Sequence, residues 1–211
     1  MATKQSKIFL DSEGDNYYER NKGLLFNEDD LIFKEIIKLN NKKKINNLLE
    51  IGCGDGFRLN LIYDKLKINC FGIDPSRKAV KNSYNSKIKV SRRTADKLNF
   101  SSKKFDVVIF GFCLYLVDIE DLIKVVYETD RVLKKNSYII IYDFYSKKSK
   151  ILPYKHNNKI KVHKNDFSNM FLWSPKFKLI KKKIFEMNKN QKKQKTKNNW
   201  VPVSISIIKK I

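Results

Sequence analysis

The chain has 211 residues, a length that fits one globular domain, and 42% of them are hydrophobic, enough to fill a core and exclude wholesale disorder. Forty-five Lys and Arg against 22 Asp and Glu give a formal charge of +23, which raises a nucleic-acid partner as a question. No apolar run approaches the ~18–20 residues that span a bilayer. Three cysteines match no zinc or redox spacing, so no metal is expected. A reduced, cytoplasmic chain is the expectation.

In chain order, Asn27 ahead of Glu28, Asp29 and Asp30 predicts a helix start, and Leu31, Ile32, Phe33, Ile36 and Ile37 then form a helical apolar face. Leu48, Leu49 and Ile51 read as a short buried parallel strand that ends in Gly52. Residues 57–67 are helical, 68–73 a second strand, 77–85 a helix and 88–92 a weaker third strand. Residues 105–113 are the strongest buried strand. Asp118 and Asp121 resemble a capping box that opens a helix to about Lys134. Residues 138–142 form a fifth strand, and 177–185 and 201–208 two more, separated by a lysine-rich loop over 188–199. Alternating strands and helices to residue 144 argue an α/β parallel sheet.

The richest segment is Glu50-Ile51-Gly52-Cys53-Gly54-Asp55-Gly56, a strand that runs through glycines into a helix. Glycines let backbone approach a ligand closely. The third glycine stands one place early for a dinucleotide fingerprint, and no Gly-Lys-Ser/Thr follows. Asp74, before Pro75, closes the second strand 20 residues after Gly54, where an acid reaches a ribose diol or caps a helix. Asp96, in Thr94-Ala95-Asp96, is an acceptor for an exocyclic amine or a turn residue.

These motifs, with Phe105-Asp106-Val107-Val108 and Arg131-Val132-Leu133-Lys134, resemble in order and spacing the class I S-adenosylmethionine-dependent methyltransferases. The resemblance covers residues 46–144. It implies a Rossmann-like, seven-stranded, mostly parallel sheet with a C-terminal antiparallel hairpin and helices on both faces. It implies S-adenosylmethionine as cofactor, with Gly52, Cys53 and Gly54 under its methionine part, Glu50 near the amino group, Asp74 and Pro75 at the ribose, Ala95 and Asp96 at the adenine, and Phe110, Gly111 and Phe112 beside the sulfonium. The segment Phe9-Leu10-Asp11-Ser12-Glu13-Gly14-Asp15-Asn16-Tyr17-Tyr18-Glu19-Arg20-Asn21 is similar to a lid segment of some members, in which Arg20 pairs with the cofactor carboxylate; an internal Glu–Arg pair is the competing reading. A single domain is expected, with a helical cap over 1–40, a cofactor core over 46–144, an acceptor lid over 145–176 and a hairpin over 177–211.

Methyl transfer from a sulfonium is an in-line displacement, helped by a base when the acceptor is a hydroxyl or a protonated amine. His156, His163 and Asp166 are the candidates, with Tyr115 behind them; packing is the alternative role for either histidine. A small polar acceptor, such as a sugar or nucleotide-linked glycan precursor, is the leading expectation. The alternatives are an RNA methyltransferase using the lysine-rich last third, and a non-catalytic cofactor-binding subunit. Arginine is absent from residues 145–211, against 19 lysines and two acids, which disfavours a grip on nucleic acid. Lys, Ile and Asn fill 84 positions, a pattern that A/T-rich codons produce. The remaining hint is an anionic small substrate.

Overall fold

A computed structural model describes residues 4–23, 27–83, 87–188 and 200–211. Most of the loop read over 188–199 lies outside them. The chain opens with a helical run, α1 (Gln5–Ile8), a π-turn (Phe9–Glu13) and α2 (Gly14–Asn21), followed by α3 (Leu31–Lys42). Then come β1 (Asn47–Ile51), α4 (Phe57–Leu66), β2 (Asn69–Asp74), α5 (Arg77–Lys81), β3 (Lys89–Arg92) and β4 (Phe105–Gly111). Two 3-10 turns (Leu114–Leu116 and Ile119–Asp121) lead into α6 (Leu122–Val132) and β5 (Leu133–Phe144). The C-terminal part holds β6 (Lys150–Pro153), β7 (Lys161–Lys164), α7 (Asn169–Leu172), β8 (Phe177–Asn188) and β9 (Trp200–Lys210).

Seven strands form one sheet in the order β3-β2-β1-β4-β5-β9-β8. The first five are parallel, while β9 runs antiparallel between β5 and β8. β6 and β7 pair separately as a hairpin. β4 is buried along Phe105 to Phe110, as expected of a central parallel strand covered on both faces. Each face carries its own core: Ile32, Phe33, Ile36, Leu59 and Ile62 pack on one side, and Phe105, Val125, Val132, Phe171 and Phe177 on the other.

Two of the recognisable motifs hold the end of the sheet away from the glycine loop. Asp106 accepts from the amides of Asn46 at 3.0 Å and Asn47 at 2.9 Å and pairs with Lys134 at 2.8 Å. Arg131 pairs with Glu128 and donates to the Leu98 and Phe100 carbonyls, tying α6 to the β3–β4 connection.

Asp30 is the residue that caps α3, accepting from the Phe33 amide at 2.8 Å. The capping box at Asp118 does not form. The Asp118 side chain instead accepts from the Gln5 amide at 2.8 Å, since the N-terminal run lies over that loop. The segment 145–176 is structured: the β6–β7 hairpin and α7 bury Tyr154, Ile160, Phe167 and Phe171 in the core. Phe171 packs at 6.3 Å from Phe110, whereas Trp173 is 73% exposed and anchors nothing. No helix among the described residues is long and apolar enough to cross a membrane.

The tail lysines serve the fold in part. Lys176 and Lys210 both pair with Asp130, Lys181 with Glu35 and Lys182 with Asp166. Solvent-accessible pairs such as Lys176 with Asp130 stabilise by at most ~1 kcal/mol each, but all four show where part of the excess charge is spent.

Candidate active site

The loop after β1 turns back on itself because Gly52 takes φ +73° and Gly54 φ +57°, a region L side chains rarely enter. The Gly52 and Cys53 amides both donate to the Ile73 carbonyl, at 2.8 and 3.1 Å, and hold the loop against the end of β2. A Cβ on Gly52 would stand 2.7 Å from Cys113 Cβ, while one on Gly54 would meet open space. The loop backbone is therefore packed tightly at Gly52 and open at Gly54.

Above the loop lies a cavity that opens to solvent at its mouth. Its floor is Ile51, Gly52 and Ile73; Asp74 and Pro75 stand at one side, with Thr94, Ala95 and Asp96 beyond them. Phe112, Cys113, Leu116 and Val117 close the other side, and Phe9, Gly14 and Tyr17 cover it from the N-terminal run. Asp74 accepts from the amides of Gly54 and Ser76, each at 2.8 Å. Two bonds leave a carboxylate further lone pairs for ligand hydroxyls. Burial pushes its carboxyl up to about 6, against the two amide bonds that pull it down.

Phe112 sits at φ +52°, unusual for a bulky residue. Its amide donates to the Tyr142 carbonyl at 2.8 Å, and its ring packs on Tyr142 at 4.6 Å and Phe144 at 5.3 Å. The strained turn aims the ring into the cavity wall.

The N-terminal run is a strap latched at both ends. Gln5 donates through its amide to Asp118 and through Nε2 to the Leu116 carbonyl at 2.9 Å, and its Oε1 accepts from the Lys161 amide. Asp15 accepts from Ser76 Oγ at 2.7 Å and the Lys78 amide at 2.9 Å, across the mouth of α5. Gly14 permits the approach: a Cβ there would lie 2.6 Å from the Phe9 carbonyl and 3.0 Å from the Ser76 amide. The π-turn over Phe9–Glu13 sits where the strap crosses the cavity, a common place for such turns.

Of the residues singled out from the sequence, the structure brings Gly52, Asp74, Pro75, Ala95, Asp96 and Phe112 to the cavity wall. Cys53 and Gly54 lie in the loop beside it, and the buried Cys53 thiol is raised well above its ordinary range. Four residues sit elsewhere. Glu50 is buried behind the loop, paired with Arg58, which also holds Asp30 at 3.1 Å. Burial pushes the Glu50 carboxyl up while the guanidinium draws it down. Phe110 is fully buried against Phe171, because the inward side of β4 is core. Gly111 backs onto Arg58, Ile32 and Glu50, where a Cβ would stand 2.9 Å from the guanidinium. Arg20 pairs with Glu13 and donates to the Tyr154 hydroxyl at 2.8 Å, so the internal pair is the one present.

None of the three candidate bases lines the cavity. His156 is exposed in the turn between β6 and β7, beside Tyr154. His163 is buried on the hairpin, with its titration lowered by burial. Asp166 is engaged by Ser168 and Lys182. The Tyr115 phenol is buried, 3.1 Å from the Tyr17 hydroxyl, and held well above its ordinary range by burial, which unsuits it as a base. Sequence reading passed over Gln5 and Cys113, and it held Phe9, Gly14 and Asp15 only as part of a lid segment, without their contacts. Only Gly14 carries a local signal, as a glycine inside a helical stretch.

Residues 49–141 match the family model described as a methyltransferase domain. No curated protein matches the chain. Among solved structures, a S-adenosylmethionine-dependent methyltransferase of Methanosarcina mazei is 19% identical, with 83% of this chain and 97% of that chain covered and a TM-score of 0.64. The 1,6-didemethyltoxoflavin-N1-methyltransferase of Burkholderia thailandensis, solved with 1,6-didemethyltoxoflavin and S-adenosylhomocysteine, is 9% identical over 100% of this chain and 91% of that chain, TM-score 0.71. A protein of Pyrococcus horikoshii is 18% identical over 92% of this chain and 99% of that chain, TM-score 0.61.

Proposed function

We propose that the chain is a class I S-adenosylmethionine-dependent methyltransferase, a reading that its fold and its match over residues 49–141 support, and that it methylates a small polar acceptor such as a sugar or nucleotide-linked glycan precursor. The observation that carries the reading is the strapped cavity itself: the glycine loop at Gly52, a half-buried carboxylate at Asp74 and a polar edge at Asp96 line one space. Those residues fit the cofactor. Gly52 to Gly54 would underlie its methionine part, Asp74 and Pro75 would hold its ribose, and Ala95 and Asp96 its adenine.

When bound, S-adenosylmethionine supplies an electrophilic methyl group on a sulfonium. The chain's own contribution is positioning and exclusion of water. Asp74 orients hydroxyls while fixing the glycine loop, Phe112 shapes the wall toward the acceptor, and the strap from Gln5 to Asp15 covers the mouth. Residues 1–40 act as a cap, 46–144 as the cofactor core, 145–176 as the acceptor side and 177–211 as the closing hairpin. A strapped mouth suits a small acceptor better than a polymer track.

The test is label transfer. Methyl-labelled S-adenosylmethionine is offered with a metabolite extract in one tube and total RNA in another. Label in the metabolite fraction is expected; label in RNA overturns the acceptor class, and label in neither with intact cofactor binding identifies a non-catalytic subunit.

A further inference from the structure

A second concavity lies on the C-terminal side of the sheet, outside the cofactor cavity. Lys147, Lys150, Leu152 and Lys164 line one wall, and Phe185 and Glu186 stand on the other. In the β6–β7 pair, Lys150 is directly opposite Lys164, which puts two ammonium groups on the same face of the hairpin. Like charges directly opposite one another are destabilising in a sheet. Leu152, two residues on from Lys150, shares that face. Among the described residues, neither Lys147 nor Lys150 pairs with a carboxylate, in contrast to Lys176, Lys181, Lys182 and Lys210. The groove thus gathers three ammonium groups, of which Lys164 also stands over the Phe144 ring.

The groove lies close to the cofactor cavity, although the two share no lining residue. Lys164 Nζ lies 5.4 Å from the Phe144 ring centroid, Phe144 packs 5.3 Å from Phe112, and Phe112 lines that cavity. One aromatic step separates the cationic groove from the ring beside the cofactor space. We infer that this groove is the anion subsite of the acceptor, with Lys147, Lys150 and Lys164 holding a phosphate or pyrophosphate while the rest of the molecule reaches past Phe144 toward Phe112. A phosphate placed there relieves the repulsion between Lys150 and Lys164, and Phe185 offers an aromatic face to a ring or sugar. Glu186 accepts from hydroxyl or amine groups of the same ligand and repels an extended polyanion. That combination favours a phosphorylated small molecule over RNA.

The inference rests on the methyl-transfer reading, so both are measured on the same samples. Inorganic pyrophosphate is titrated calorimetrically into wild type and into a Lys150→Gln/Lys164→Gln variant, with S-adenosylhomocysteine binding measured in parallel. Wild type is expected to bind pyrophosphate with an affinity that falls as salt rises, and the variant to bind at least ~10-fold more weakly, with S-adenosylhomocysteine affinity unchanged. Thermal melting gives a second readout: relief of the cross-strand repulsion keeps the variant at least as stable as wild type, and pyrophosphate raises the wild-type midpoint only. Absence of pyrophosphate binding in a wild type that binds S-adenosylhomocysteine overturns the subsite alone. Equal pyrophosphate binding by variant and wild type does the same. A single-stranded RNA oligonucleotide that binds more tightly than pyrophosphate, and loses that affinity in the variant, overturns the small-molecule assignment. Loss of S-adenosylhomocysteine binding by wild type would instead strike the methyl-transfer reading.

Discussion

The Asp74 carboxylate accepts a hydrogen bond from the Gly54 amide at 2.8 Å, so the acid that faces the cavity also clamps the glycine loop. Its carboxyl is raised by burial to about 6, above the ordinary 3.8. A folded value above the unfolded one means that the stability contributed by Asp74 is fully present below pH ~4 and is lost as pH rises through about 6. Ligand hydroxyls donating to the carboxylate favour its ionised form. S-adenosylhomocysteine should therefore bind more tightly at pH ~7 than at pH ~5 and release protons near pH 6. Asp74→Asn should weaken binding by ~10-fold or more at neutral pH and flatten the profile. Calorimetry in two buffers of different ionisation enthalpy checks this, and matching profiles in both proteins would sink it.

The strap predicts a kinetic effect. The Gln5 side chain makes two hydrogen bonds and Asp15 two, and each such bond contributes on the order of 1 kcal/mol or less. Gln5→Ala/Asp15→Ala should loosen residues 5–21, speed S-adenosylhomocysteine release by at least ~10-fold and leave the melting of the sheet core nearly unchanged. Hydrogen exchange over the strap and stopped-flow displacement report the two effects separately. Unaltered exchange over residues 5–21 would show that the latches do not hold it.

Gly14 offers a sharper version. Its missing Cβ allows the strap to lie against the Ser76 amide, and a methyl group there meets backbone on both sides. Gly14→Ala gains helix propensity of ~1 kcal/mol, which on an unencumbered helix would stabilise. Here we expect the opposite sign, with weaker cofactor binding and a lower melting midpoint. A more stable Gly14→Ala protein would mean the contact is not tight.

The cofactor side of the fold was legible because it is local. Leu48, Leu49, Ile51 and the glycines form one continuous stretch, and Asp74 ends the next strand, so spacing alone locates them. The stretch from Phe9 to Asn21 was readable as a lid by resemblance, but its latches were not, because they join positions 113 residues apart, as in Gln5 to Asp118. The same long-range contact explains why Asp118 resembled a helix cap: its short acidic side chain has the right chemistry for a cap and spends it on a different amide. β6 and β7 escaped notice because they are four residues each and bracketed by lysines, with Pro153 at an edge where its missing N–H costs nothing. Residue type alone made His156 and His163 candidates, but placement removed both from the cavity wall.

Those histidines yield their own prediction. Burial lowers the His163 titration below its ordinary 6.5, and among the described residues its Nδ1 has no hydrogen-bond partner. A lowered folded value means the neutral ring is the one accommodated, so stability is present above pH ~6.5 and falls as pH drops below it. His163→Leu should melt above wild type at pH ~5, with the advantage shrinking by pH ~7.5. Turnover of His156→Ala/His163→Leu should stay within ~3-fold of wild type, since neither ring reaches the cavity. A large kcat loss without loss of cofactor binding would restore a histidine base.

Arg58 carries the heaviest single stability prediction. Its guanidinium sits between Asp30 and Glu50, with all three side chains at most 8% exposed. Truncation to Arg58→Met leaves two buried carboxylates uncompensated, which costs about 3–5 kcal/mol. In a domain of this size that lowers the melting midpoint by roughly 10 °C. Because burial already pushes the Glu50 carboxyl up, loss of the guanidinium pushes it further. The deficit should therefore be largest at neutral pH and shrink toward pH ~5 as the carboxyls protonate. Asp30→Asn/Glu50→Gln added to Arg58→Met removes both stranded charges and should recover most of the loss at pH ~7. Melting curves of the single and triple variants at the two pH values decide it. A single variant whose deficit grows on acidification would show that the pair is not an electrostatic support of the loop behind Gly52.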